Sequence, residues 1–201
     1  SEMCIRDRAK TWPAREMPRP GCVWTHTLFV NFADLATLGD LASLATLFER
    51  PSLERVDEFR TDKHLAARGQ SLAETRFEPH VAKELLIALY QLPEAKVMVP
   101  AFEGSESLIL ALWGQQWPRL RRRFRFCSLT GVDRSSEMAG DFDLQCVAGH
   151  LLKQPSTDRS GGPGENQASI WLDHAWRDLT SPADTDFRSF ARRVGSDINT
   201  G

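Results

Sequence analysis

Hydrophobic positions along the chain fall into short blocks of two periods. Residues 23–31 are rich in β-branched and aromatic side chains and read as a strand. Residues 32–38 form a short helix, and Asp40 is a candidate N-cap for the next. There Leu41, Leu44, Leu47 and Phe48 recur at helical spacing until Pro51 ends the run. Residues 12–21 hold Pro13, Pro18, Pro20 and Gly21 and read as irregular. Residues 52–77 are charged and weakly patterned, which predicts a surface excursion with a helical turn or two. Pro79 suits a first helical turn, and Ala82, Leu85, Leu86 and Leu89 give that helix one apolar face. A strand is predicted over 96–100 and a buried helix over 107–113, although periodicity leaves a strand open there. Leu120 and Phe124 suggest one short helical turn.

Two more strands are read over 125–130 and 142–148. Residues 154–167, rich in Ser, Gly and Pro, predict a loop. Two helices follow. The first carries Trp171, Leu172, Ala175, Trp176 and Leu179. The second has Ser181 as cap, Pro182 at its first position, Asp184 near its positive end and Gly195 as its stop. Its Phe187, Phe190 and Val194 are expected to face inward, with Arg192 and Arg193 in its last turn. Strands interleaved with helices indicate an α/β fold, with α+β the variant, built on a mixed sheet of four or more strands with helices packed on it.

Composition narrows the class. The chain has 201 residues, 41% hydrophobic and 26% charged, with net charge −2. That is enough chain for a stable core without disulfides or metal, and the balance argues against a general polyanion binder. The four cysteines, Cys4, Cys22, Cys127 and Cys146, form no Cys-x-x-Cys pair. Sparse, irregular cysteine usage suits a reducing compartment, so a cytoplasmic protein is expected. No apolar run approaches the roughly 20 residues needed to span a bilayer. Met3-Cys4-Ile5-Arg6-Asp7-Arg8 resembles translated sequencing-adapter DNA, as met in metagenomic assemblies. The domain reading is therefore an artefact over 1–8, an α/β core over 9–150, a loop over 151–167 and a helical pair over 168–201, with both ends cut.

Candidate chemistry is sparse. The glycine run at 161–164 lacks the Lys-Ser or Lys-Thr of a phosphate loop and does not follow a strand. Cys22 with His26, and Cys146 with His150, have ligand-like spacing. In a strand, four residues span about 13 Å, too far for one zinc with bonds of about 2.0–2.3 Å. Cys127 or Ser128 with a histidine and an aspartate would make a hydrolase, but no nucleophile elbow or cysteine-protease signature accompanies them. Asp141 and Asp143 share a face if extended and are more simply strand-entry aspartates. Trp113 and Trp117 read as core aromatics. No catalytic residue, metal site or cofactor is assigned.

The densest feature is Arg119, Arg121, Arg122, Arg123 and Arg125, beside Trp117. Arginine's planar fork binds carboxylates and phosphates bidentately, so this cluster is the candidate partner-binding surface. The alternative is a solvated turn whose arginines pair with the protein's own carboxylates.

Three stretches resemble a known family. They are Arg19-Pro20-Gly21-Cys22-Val23-Trp24-Thr25-His26-Thr27-Leu28, then Leu112-Trp113-Gly114-Gln115-Gln116-Trp117-Pro118-Arg119-Leu120-Arg121-Arg122, and Phe124-Arg125-Phe126-Cys127-Ser128 leading to Phe142-Asp143-Leu144-Gln145. Together, over roughly residues 12–147, they are similar to the N-terminal region of the bacterial GTPase-associated protein family, type one. The resemblance implies a multidomain cytosolic protein encoded beside a GTPase-like NTPase in a bacterial conflict or defence system. It implies no catalytic residue. Strands that the family pattern places before Trp12 are expected to be missing, leaving an unpaired sheet edge. The leading expectation is a non-catalytic regulatory or scaffolding module that binds a GTPase and other domains of its system. The alternatives are a nucleic-acid sensor using the same arginines and a cysteine or serine hydrolase.

Overall fold

The computed structural model describes residues 5–39, 41–65, 78–91, 97–130, 142–148, 165–181 and 185–195. The chain forms two compact units, Ser1–Gln70 and Ser71–Gly201. The division falls inside the segment read from sequence as one core over 9–150. The class is mixed α/β, as the interleaved pattern indicates. The strands are divided between two sheets instead of sharing one.

In the first unit, β1 (Ile5–Pro13) pairs antiparallel with β2 (Val23–Asn31) in continuous register from Ile5 opposite Asn31 to Pro13 opposite Val23. β2 therefore has a pairing partner that begins at Ile5, and Trp12 and Pro13, read from sequence as irregular, are its last two residues. Its local sequence, IRDRAKTWP, has no alternating apolar face, and the pairing with β2 is what holds it extended. Gly21 ends the connecting loop at φ +81°, a left-handed backbone that suits a residue without Cβ. β2 alternates: His26 and Leu28 are buried while Val23 and Phe29 point to solvent.

Helix α1 (Phe32–Thr37) follows at once, capped by the Asn31 side chain, which accepts from Ala33 N at 2.9 Å. The helical run after it is a 3-10 helix, Leu41–Leu47, that buries Leu41 and Leu44. Asp40, its candidate cap, lies outside the described residues. A second 3-10 helix, Leu53–Arg60, is laced by Arg55 to Glu49 and Glu58. It supplies the helical turns expected in the charged excursion.

In the second unit, α2 (Pro79–Gln91) leads to a parallel sheet of β3 (Val97–Pro100), β4 (Phe126–Thr130) and β5 (Leu144–Val147), in the order β3-β5-β4. The central strand, β5, is buried at all four positions, as expected for a strand covered on both faces. Between β3 and β4 run α3 (Ser105–Gln115) and α4 (Pro118–Arg123). Gly104, at φ +87°, turns the chain into α3, whose residues from Leu108 to Gln115 are all buried. Trp113 is core, and its ring meets Phe126 edge-on at 5.6 Å.

Two further helices, α5 (Glu165–Thr180) and α6 (Asp186–Gly195), complete the unit. The loop expected over 154–167 lies outside the described residues as far as 164.

The start of α6 differs from the sequence reading. Thr185 is its N-cap: its carbonyl accepts from Ser189 N at 2.9 Å and its hydroxyl from Arg188 N at 3.1 Å. Ser181 instead closes the turn after α5, donating its N–H to Asp178 O at 3.2 Å. Pro182 and Asp184 lie outside the described residues. A second difference is larger. Phe187, Phe190 and Val194, expected inside, are 36%, 64% and 55% exposed, and Ala191 is the buried apolar residue.

Candidate partner-binding surface

The arginine cluster is built on one short helix, with Arg125 in the link to the strand after it. Trp117 is extended and precedes Pro118, which occupies the first turn of α4 where a missing N–H costs nothing. Six helical residues cannot present four arginines to one side. At 100° per residue, Arg119, Arg121, Arg122 and Arg123 must distribute around the axis.

They do so with one arginine inside. Arg121 is 1% exposed, which removes it from the expected surface. Its Nε donates to Gln116 O at 2.7 Å, and its Nη2 donates to Gly114 O. Both acceptors lie at the C-terminal end of α3, where helix carbonyls lack intrahelical partners and carry partial negative charge. Trp113 Nε1 in turn donates to the Arg121 carbonyl at 3.0 Å. Arg121 is thus a clamp joining α3 to α4.

The rest of the cluster faces water. Arg119, Arg123 and Arg125 are exposed, Arg122 is half-buried, and Trp117 is 43% exposed. Trp117 therefore departs from the core role expected for both tryptophans. Among the described residues, no ion pair involves Arg119, Arg123 or Arg125. Backbone bonds fix Arg125 in place: its N–H donates to Asp143 Oδ2 at 2.7 Å, and its carbonyl accepts from Asp143 N at 2.8 Å. Asp143 is thereby a strand-entry residue holding β4 to β5, and Asp141 lies outside the described residues.

The surface rests on a buried polar network that sequence reasoning missed. Gln115 Nε2 donates to Ala175 O at 2.7 Å and to Asp178 Oδ2 at 3.0 Å. Asp178 is fully buried, accepts from the Thr185 hydroxyl and lies 3.3 Å from Arg188 Nε. Arg188 Nη2 also donates to Asp178 O at 2.9 Å. Nothing in the local sequence marks Asp178 as buried, because its partners Gln115, Thr185 and Arg188 come from outside its own helix.

The other candidates are occupied structurally. His26 is 4% exposed, with Nδ1 accepting from Glu49 N at 3.3 Å and its ring packed edge-on against Phe48 and Phe59. Burial lowers its pKa below the ordinary 6.5, opposed by the bond to Glu49 and assisted by Lys63. Cys22 precedes β2, so the extended strand carries His26 away from it.

Cys127 donates to Leu129 O at 3.3 Å. Burial pushes the Cys146 thiol up to about 11, with Cys127 adding to the shift and a hydrogen bond from Ser105 opposing it. A thiol so held is a poor nucleophile near neutrality. His150 and the glycine run at 161–164 lie outside the described residues. Among the described residues, no group of three or more His, Cys, Asp or Glu is placed to hold a metal ion, and no helix is long and apolar enough to cross a membrane.

The N-terminal hairpin carries the likeness to known proteins. Residues 8–48 match the family described as GTPase-associated protein 1, N-terminal domain type 1. No curated protein and no solved structure matches the chain. The matched residues run from β1 through β2 and α1 into the first 3-10 helix, all within the first unit. They include the stretch from Arg19 to Leu28 that carries the resemblance in sequence. The tryptophan- and arginine-rich stretches of the second unit lie beyond the match.

Within the matched hairpin, Glu16 joins loop to strand. It accepts from Trp24 Nε1 at 2.7 Å and from Arg50 Nη2 at 2.6 Å. Hydrogen bonds from its own backbone N–H, from Trp24 and from Arg50 lower its pKa to about 2.

Proposed function

We propose that this chain is a non-catalytic, protein-binding regulatory module of a GTPase-linked bacterial conflict system, acting in the cytoplasm. The observation that carries the binding role is exposed Arg119 and Arg123, on a helix anchored through Arg121, with exposed Trp117 just before it and exposed Arg125 just after it. Guanidinium groups held on a rigid element lose little freedom on engaging a carboxylate or phosphate. The family description supports a GTPase as the partner.

The test is co-purification from the native cytosol with tagged full-length protein, with and without nuclease. Recovery of a GTPase that survives nuclease, and falls more than tenfold in an Arg119→Glu, Arg123→Glu, Arg125→Glu variant, supports the reading. Absence of a GTPase in every nucleotide state overturns it.

A second reading is nucleic-acid sensing. It is favoured by the exposure of Trp117 beside Arg119, since an aromatic face flanked by cations can stack a base while binding its phosphate. Recovery of nucleic acid alone, with an affinity that falls steeply as salt rises, would promote that reading over the first.

A further inference from the structure

We propose that α4 and α6 together form a docking face for an acidic amphipathic helix of a partner protein. The inference rests on the reading of the α4 arginines as a binding surface and adds to it the chemistry of what binds.

The first observation is an apolar ridge. Phe187, Phe190 and Val194 are exposed at 36%, 64% and 55%, and their spacing of three and four residues puts them in one line along α6. The ridge spans seven residues, about 10 Å at 1.5 Å per residue, or two turns of a facing helix. The helix is not free to roll and hide these side chains. Thr185 caps its start, while Arg188 and Ala191 on the adjoining face turn inward, Arg188 held by Asp178. A line of apolar side chains at this spacing on a fixed helix is what one helix presents to the groove of another.

The second observation is charge. Exposed Arg193 neighbours Phe190 on the α6 surface, and α4, which packs against α6, contributes exposed Arg119 and Arg123. The carboxylate at the start of α6 is Asp186, at the far end from Arg193. Arg193 therefore lies beside the C-terminal half of the ridge, and the helix packed against α6 carries two more exposed cations. The complementary partner is a helix with apolar residues on one stripe and Asp or Glu along its margins. A nucleic acid would use the arginines but leave Val194 without a function, because an aliphatic side chain offers no ring for stacking.

The experiment uses the full chain as bait for a phage-displayed library of random 16-residue peptides. Selected peptides are then measured by fluorescence anisotropy against wild type, Phe190→Ser, Val194→Lys and Arg123→Glu. All three substitutions are at exposed positions, and circular dichroism checks that each variant is folded. The expected result is enrichment of acidic peptides with apolar residues at i, i+3 or i+4, and i+7, whose affinity falls tenfold or more in each variant.

Acidic peptides lost with Arg123→Glu but indifferent to both α6 variants would overturn the docking face and leave the arginine reading standing. Selected peptides indifferent to all three, or no selection at all, would overturn both. Binding of a 16-nucleotide single strand that is sensitive to Arg123→Glu, with no such peptides enriched, would overturn the proposal in favour of nucleic acid.

Discussion

Arg121 shows how a residue's neighbours, more than its type, settle its role. In sequence it is one of five similar arginines. In the fold its guanidinium donates to two carbonyls at the end of α3 and its own carbonyl accepts from Trp113. Replacing it with Met would preserve bulk but leave buried carbonyls unpaired, at about 1–3 kcal/mol each. Arg121→Met is therefore expected to destabilise the protein by about 3 kcal/mol in urea unfolding. Arg119→Met, at an exposed position, should change stability by less than about 0.5 kcal/mol. Equal effects at the two positions would remove the clamp.

His26 makes a second case. Its folded-state pKa lies below the unfolded value of about 6.5, because burial disfavours the cation and Lys63 adds to that effect. A group depressed in this way binds fewer protons folded than unfolded. Its stabilisation is full above about pH 6.5 and is lost as pH falls through the folded pKa. The expected outcome is a fall in unfolding free energy between about pH 7 and 5 that is smaller in His26→Gln. Identical slopes in the two proteins would refute it.

At the scale of elements, most boundaries were legible. β2, α2, α3 and β4 each fall within a residue or two of where periodicity and prolines put them. β1 was not legible, because its sequence has no alternating apolar face and depends on β2 for its ladder. The start of α6 was misplaced for a related reason. Ser181-Pro182 is a good local cap signal, but the helix starts after Thr185, whose hydroxyl accepts from Arg188 N and donates to buried Asp178.

Thr185→Ala should accordingly cost more than an ordinary surface cap, whose loss is about 1 kcal/mol, because it also removes a hydrogen bond to a buried carboxylate. We expect about 2 kcal/mol by urea unfolding. Thr185→Ser, which keeps the hydroxyl, should recover most of that loss. A Ser181→Ala effect as large as that of Thr185→Ala would return the cap to Ser181.

For the molecule as a whole, net charge misleads about binding. A chain of −2 would repel an acidic partner weakly at long range, yet exposed Arg119, Arg123 and Arg125 are gathered on α4 and just after it. Local density governs contact electrostatics within a Debye length of about 8 Å at physiological salt. Association of an acidic partner should slow several-fold between about 50 and 500 mM salt, with the off-rate changing less. Stopped-flow mixing would check this, and a salt-independent on-rate would count against the arginine face.

The sequence alone was sufficient for the α/β class, for most helices and strands, and for the position of the basic cluster, because these follow from local periodicity, turn chemistry and residue count. Its resemblance to the GTPase-associated family is matched over residues 8–48. Only the tertiary structure decided which arginines face water, that Asp178 is buried among Gln115, Thr185 and Arg188, and that Phe187, Phe190 and Val194 are left outside. Each of those outcomes depends on groups distant in sequence. An arginine turns inward when helix-end carbonyls need donors there, and a phenylalanine stays outside when another face of its helix is already held by an ion pair.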